Sequence, residues 1–338
     1  MFRKCCLEKF EIYAKNVQAK IRLDLSTHPL GPSPVILEVL KSAGIFDLWK
    51  YPESELMELK QQIARFTGLN EENIMLTSGA EQGIEIALIR LLNPGERITI
   101  KIPTFPLFNI FARNLCDAKV EFFSDIENIP EAKVIVLCSP NNPTTEEIPE
   151  EKIGSILEEN PNSMILLDNV FCESGEERFE NLVKEFNNLI ILRSFSKDFG
   201  LAGIRLGFIL SSEENIPALK NGICHFRIST LSQRIALEAL KDRNHLEKMK
   251  LFLKHEFSFI KRELGSQIVR KSNTPFFLFD CRMDSQICRE KMLEKDISIV
   301  DSSSFAGLER NFCRVTIGKR EENEAFLAAV KEIQNLSK

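Results

Sequence analysis

Lys197 lies among hydroxyl and glycine residues in Ser194-Phe-Ser-Lys-Asp-Phe-Gly-Leu-Ala-Gly-Ile-Arg-Leu-Gly207, directly after the aliphatic run Leu189-Ile-Ile-Leu192. A second apolar run begins at Ile204, so the lysine falls in a loop between two predicted strands. An amine held in a partly desolvated site loses its proton more readily and can form a Schiff base with a carbonyl. Ser194, Ser196 and Arg205 add hydroxyl donors and a guanidinium, the groups that hold a phosphate. This combination points to pyridoxal phosphate. A lone loop lysine is otherwise ordinarily solvated, so the reading depends on what the rest of the chain supplies.

Further segments offer matching chemistry. Thr77-Ser-Gly-Ala-Glu-Gln-Gly83 opens a helical pattern, with Ser78 and Glu81 at capping-box spacing. The start of such a helix exposes N–H groups and the positive end of its dipole, a ready phosphate site. Pro103-Thr-Phe-Pro106 follows a predicted strand at 97–102, and Ser139-Pro-Asn-Asn-Pro-Thr144 makes a rigid turn after another at 133–138. Met164-Ile-Leu-Leu-Asp168 is a strand ending in a carboxylate. Near the C-terminus, Cys313, Val315 and Ile317 alternate with Phe312, Arg314 and Thr316, which sends Arg314 to the face opposite the aliphatic residues.

Ser-x-Ser-Lys followed eight residues later by arginine, in the context Leu-Ala-Gly-Ile-Arg205, resembles the cofactor-lysine signature of fold-type I pyridoxal-phosphate-dependent aminotransferases of class I/II, nearest to the histidinol-phosphate aminotransferase group. The other motifs follow in that family's order. The resemblance implies that the backbones of Gly79, Ala80 and Glu81 hold the cofactor phosphate and that Phe105 covers the pyridine ring. It implies that Asn142 donates to the cofactor's 3-oxygen beside the substrate and that Asp168 keeps the pyridine nitrogen protonated. Lys197 would carry the cofactor and shuttle the substrate proton, and Arg314 would grip the substrate α-carboxylate. Tyr51, in Tyr51-Pro-Glu, matches a tyrosine that reaches the phosphate of the partner subunit, which implies a homodimer with its active site at the interface.

The chain departs from the family at several positions. Where Asp-x-Ala-Tyr is usual it reads Asp168-Asn-Val-Phe171, so a phenol is missing from the cofactor's 3-oxygen. Thr145 replaces the glycine after Pro-Thr, and Ser26-Thr-His28 replaces Asn-Glu-Asn in a segment that crosses the substrate pocket. His28 is read either as a core or solvated histidine or as a substrate contact, and Tyr51 retains the alternative of a loop aromatic. The arginine that helps bind a substrate phosphate in the histidinol-phosphate group maps to Val300, which cannot hold an anion. Arg227 is either a substitute cation or a surface residue.

The strand-like runs alternate with helical or loop segments, which predicts an α/β fold with functional residues on the loops after strands. The resemblance makes this a large domain with a mostly parallel sheet sandwiched by helices (40–240), plus a smaller α+β domain built from the N-terminal arm (1–39) and 241–338. A long helix is expected over 236–265, and a closing amphipathic helix over 321–336. With 338 residues, 43% of them hydrophobic, the chain can bury a large core. A net charge of -5 gives no basis for nucleic-acid binding. The nine cysteines show no Cys-x-x-Cys spacing, so they read as free thiols of a cytoplasmic protein with no metal. No apolar run approaches the length of a membrane helix. The expected function is transfer of an amino group between an amino acid and a keto acid or small carbonyl compound, on a substrate other than histidinol phosphate. A decarboxylase or lyase of the same fold, like threonine-phosphate decarboxylase, is the rival, since motifs do not report which α-bond aligns with the ring. An inert cofactor-binding homologue would be expected to have lost Lys197, Asp168 or Arg314.

Overall fold

The computed structural model describes residues 17–42, 49–53, 56–172, 179–223 and 226–335. Cys5, Cys6, Cys224, His225 and Leu336 lie outside them. The strands in chain order are β1 (Ile21–Arg22), β2 (Ile74–Thr77), β3 (Arg97–Lys101), β4 (Lys119–Phe123), β5 (Val134–Cys138), β6 (Met164–Asp168), β7 (Leu189–Ser194), β8 (Gly207–Ser211), β9 (Ile268–Val269), β10 (Phe276–Asp280), β11 (Ile297–Ser298), β12 (Val300–Asp301) and β13 (Phe312–Thr316).

Seven of these form one sheet in the order β2-β8-β7-β6-β5-β3-β4. β8 runs antiparallel to both β2 and β7, and the remaining pairings are parallel. The central strands β5, β6 and β7 are apolar until their C-terminal ends, because both faces are covered. Ile135, Leu137, Ile165, Leu167 and Ile191 join one core cluster, while Val134, Val136, Leu166, Ile190 and Leu192 join another, as side chains pointing alternately from each strand must. The parallel strands bring their C-terminal ends to one edge, where the loops carrying the predicted site residues emerge.

A second sheet, ordered β12-β13-β10-β9 and wholly antiparallel, has its own core of Phe277, Phe279, Cys313, Val315 and Phe326. Its opposite face carries Phe276, Leu278, Val300, Arg314 and Thr316, which are register neighbours. β1 pairs with β11, and Leu23 packs into the smaller core. Ile36 and Val39, on the helix Val35–Ser42, pack against the large sheet's core instead.

The helix expected over 236–265 is two helices, Thr230–Lys241 and Arg243–Leu264. Asp242 leaves the helical conformation at φ -88°, ψ 71°, and its Oδ1 accepts from the His245 N–H at 3.1 Å. A side-chain cap there starts a new helix where apolar periodicity alone reads through. The closing helix runs Arg320–Asn335. Among the described residues no helix is long and apolar enough to cross a membrane.

Candidate active site

The order of strands in the large sheet sets the order of groups along its edge. β2, β8 and β7 end or begin at Thr77, Gly207 and Ser194, which are register partners. The helix Gly79–Leu91 starts against them. Gly79 has φ 79°, and a Cβ on it would lie 2.8 Å from Arg205 Nη2. A Cβ on Gly207 would lie 2.8 Å from Ala80 N, Gly79 C and Arg193 O, all backbone atoms. Both glycines therefore let the helix start, the strand and the guanidinium close into one cradle.

The expected capping box does not form. Ser78 Oγ donates to Arg227 O at 2.9 Å, the Ser78 N–H is taken by Gln82 Oε1 at 2.7 Å, and Glu81 pairs with Arg205 at 3.3 Å. Gln82, one residue beyond the position that the capping box uses, closes back on the turn, and Ser78 is drawn away by a backbone carbonyl 149 residues distant in sequence.

Lys197, Asp168, Asn142, Phe105, Phe171, Ser194, Ser196, Arg205, Ala80 and Glu81 line one cavity of about 250 Å³, together with Leu25, Thr27, Ile84, Val170 and Ala202. Lys197 Nζ donates to Leu25 O at 3.0 Å and lies 5.5 Å from the Phe171 ring centre. Burial pushes its amine down to about 7, and the Arg314 and Arg205 charges act in the same direction. Asp168 is pushed up to about 6 by burial, against the opposing effects of the Val170 N–H donated to its Oδ1 at 3.0 Å and of the Lys197 charge. Phe171 is buried and packs edge-on against Phe276 at 4.9 Å.

Asn142 Oδ1 accepts from Arg314 Nη1 at 2.9 Å, and Arg314 Nη2 donates to Asp24 O. Arg314 is fully buried, on the face of β13 opposite Cys313 and Val315 as its alternation predicts. The large lobe's loop and the small sheet thus meet at one guanidinium. Thr145 has φ 60°, the left-handed conformation that suits glycine, and its Oγ1 accepts from the Lys271 N–H at 2.7 Å. The hydroxyl fastens this turn to the small lobe, which a glycine could not do.

Of the predicted residues, Gly79 and Arg314 adjoin the lining residues Ala80 and Asn142 without lining the cavity themselves, and His28, Arg227 and Tyr51 do not line it either. His28 is buried, accepts from the Leu30 N–H at Nδ1 and contacts Met249 O through Nε2, each at 3.2 Å. Both ring nitrogens are thereby engaged within the protein. Burial pushes its pKa down to about 4, keeping it neutral. Arg227 donates from Nε and Nη2 to Leu76 O at 2.9 and 2.7 Å. Tyr51 is 81% exposed and stacks on Phe226 at 4.7 Å. Sequence reasoning weighed His28, yet its neighbour Thr27 faces the cavity. It also missed Asp24 and Leu25, which act through main-chain carbonyls that no side-chain pattern reports.

A guanidinium beside a helix start, a carboxylate two strands away, and an amine of near-neutral pKa facing an aromatic ring suit a phosphorylated pyridine aldehyde. With the doubly covered, mostly parallel sheet they define a fold-type I pyridoxal-phosphate enzyme. Residues 19–330 match the family described as aminotransferase class I and II. Histidinol-phosphate aminotransferase 1 of Archaeoglobus fulgidus is 31% identical over 324 residues, covering 93% of this chain and 99% of that protein. A crystal structure of histidinol-phosphate aminotransferase from Sinorhizobium meliloti in complex with pyridoxal-5'-phosphate superposes with a TM-score of 0.86 at 23% identity, covering 99% and 98% of the two chains. That of L-threonine-O-3-phosphate decarboxylase from Porphyromonas gingivalis gives 0.78 at 21% identity, covering 93% and 99%. The chain belongs to the class I and II aminotransferases, nearest the histidinol-phosphate aminotransferase group, and its cofactor is pyridoxal 5'-phosphate.

Proposed function

We propose that this aminotransferase works on an amino acid whose α-carboxylate is received by Arg314, and that its physiological donor is not histidinol phosphate. The observation that carries the substrate reading is Val300. It is buried at 2% exposure and is the register partner of Arg314 on β13, so an apolar side chain stands where a phosphate-binding arginine would adjoin the carboxylate site.

Bound pyridoxal phosphate supplies an aldehyde for the lysine and an electron-withdrawing ring. The shared cavity supports these residue roles. Arg205, Ser194, Ser196 and the helix start at Gly79, Ala80 and Glu81 would hold the phosphate. Asp168 would face the ring nitrogen and keep it protonated, while Phe105 and Phe171 would exclude water from the ring. Asn142 orients Arg314 through its Oδ1. Lys197, with an amine near neutrality, takes the proton from the substrate α-carbon and returns it on the far side of the exchange. Leu25 O holds Nζ at the cavity wall.

The same reading takes the protein as a cytoplasmic homodimer, with 40–240 as cofactor domain and the remainder as small domain. Leu37, Leu40, Trp49, Tyr51 and Phe226 are all exposed, the kind of apolar surface that a second copy covers. The test is to supply the reconstituted enzyme with a panel of amino donors and acceptors, following keto acid, carbon dioxide and the cofactor's visible band. Keto acid without carbon dioxide, and histidinol phosphate among the poorest donors, is the expected result. Turnover of histidinol phosphate at the rate of the best donor would refute the substrate reading, and carbon dioxide release would favour the decarboxylase.

A further inference from the structure

We infer that Cys281, Cys288 and Cys313 form a three-thiolate site for a divalent d10 metal ion, zinc in chemical class, inside the small lobe and apart from the cofactor cavity. Their sulfurs lie within 4.8 Å of one another and all three residues are buried. Free cysteine is commonly a small core hydrophobe, so burial alone says nothing. The convergence is what distinguishes this group, because the three come from three separate elements.

Cys313 sits on β13, and Cys281 directly follows β10 two residues beyond Phe279, the register partner of Cys313. The two strand sulfurs therefore share one sheet face diagonally. Cys288 descends onto them from the helix Ser285–Leu293, which covers that face. This spacing of 281, 288 and 313 is no Cys-x-x-Cys pattern, and only the fold assembles it.

Zn–S bonds of about 2.3 Å place sulfurs roughly 3.8 Å apart in a tetrahedral site. Movements within about 1 Å by rotation of short side chains would close the triangle. Met283 O and Asn311 O lie 3.2 and 3.0 Å from Cys281 Sγ, within reach of the fourth position. Coordination releases the thiol protons to solvent. Three thiolates on a divalent ion leave one net negative charge, whereas a monovalent ion would leave two, and a dry interior favours the smaller charge. Access runs through the turn 282–284, where Arg282 is exposed and Met283 and Asp284 are half-buried directly above the site.

The experiment uses the protein with its cofactor bound, stripped by chelation under reducing conditions and titrated with Zn²⁺ and with Cd²⁺ as a spectroscopic probe. The expected result is a cadmium–thiolate charge-transfer band saturating at one ion per chain, with protons released on binding and three thiols protected from alkylation. Cys288→Ser and Cys288→Val should each weaken binding by ~100-fold or more, while Cys116→Ser, in the large lobe's core, leaves it unchanged. The cofactor's visible band, unaltered in all three variants, reports that they fold. No saturable band in the reduced protein, or a band that persists in both Cys288 variants, would overturn the inference. So would loss of two of these thiols to a disulfide in air by a protein that takes up no metal when reduced.

Discussion

Two ionisable groups of the cavity, Lys197 and Asp168, are held away from their ordinary solvated state, and this sets what pH does to the protein. Lys197 is lowered to about 7 by burial first. Between that value and its unfolded pKa the unfolded chain binds more protons, so in the cofactor-free protein stability rises with pH across that window and the full penalty applies below about 7. Asp168 is raised to about 6. There the folded chain binds more protons, so stability falls as pH rises from the ordinary carboxylate range to about 6 and stays reduced above it. Asp168→Asn should therefore stabilise the cofactor-free protein at pH 8, on the order of 2 kcal/mol, with the gain vanishing toward pH 4. Denaturant melts at both values measure it, and an equal effect at both would contradict burial as the cause. The same variant should lower kcat at least ~100-fold, because it no longer offers a charge to the ring nitrogen. The second residue-scale expectation concerns Phe171, whose ring lies against Lys197 and carries no donor. Phe171→Tyr adds a hydroxyl where the cofactor's 3-oxygen is expected, and a hydrogen bond to a charged oxygen is worth about 1.5–3 kcal/mol. The pH titration of the cofactor's visible band should move down by roughly one to two units. Superimposable titrations of the two proteins would show that the tyrosine's usual place is not reached here.

Elements position these groups, and what was legible in the sequence follows from how local each element's cause is. The five strand runs near 97–102, 133–138, 163–168, 189–193 and 205–210 all form within two residues of expectation, since short runs rich in aliphatic residues and bounded by turn residues mark strands buried in a sheet. Arg314 was readable for the same reason, as the polar member of an alternating strand. The capping box at Ser78 was not, because a hydroxyl's partner can be any carbonyl that the fold brings near, here Arg227 O. The break at Asp242 was hidden similarly. Its Oδ1 caps the following helix, but its Oδ2 accepts from Ser33 Oγ at 2.5 Å, a contact to the start of the chain that holds the Val35–Ser42 segment to the helix pair. Asp242→Ala removes both bonds and should cost about 1–2 kcal/mol. The carboxylate is held below its ordinary range, Ser33 being the largest cause, so its contribution is present above the unfolded pKa and fades as pH falls through the folded one. A thermal melt at pH 7 registering no loss would mean that the break is set by packing and not by the cap. Gly207→Ala tests a different element contact, the seating of the helix start. Its Cβ would meet backbone atoms at 2.8 Å that cannot swing aside, so cofactor retention through gel filtration should fail before the fold does.

At the scale of the whole molecule the N-terminal arm is the part that makes one enzyme of two cores. It pairs through β1 with β11, Leu23 O accepts from the Thr316 N–H at 2.8 Å, and the Ser26 N–H donates to Thr316 Oγ1 at 2.9 Å. Its next carbonyls, of Asp24 and Leu25, accept from Arg314 and Lys197. A single extended segment thereby couples the small sheet's arginine to the large sheet's lysine, and leaves Tyr51 stacked on Phe226 at the surface, outside the cavity of its own chain. In the proposed twofold dimer each copy would lend this exposed phenol to the other's phosphate end. Mixed dimers decide this. Lys197→Ala removes the reacting amine, and Tyr51→Ala would remove only what a subunit lends to its partner. Refolding the two inactive or weak variants together in equal amounts puts both defects in one site of each mixed dimer and leaves its other site intact. Half of random pairs are mixed, so activity should recover to about a quarter of the unaltered enzyme. If Tyr51 instead serves its own chain, every site in the mixture carries one defect and no recovery occurs, which separates the shared site from the self-contained one without reference to the substrate.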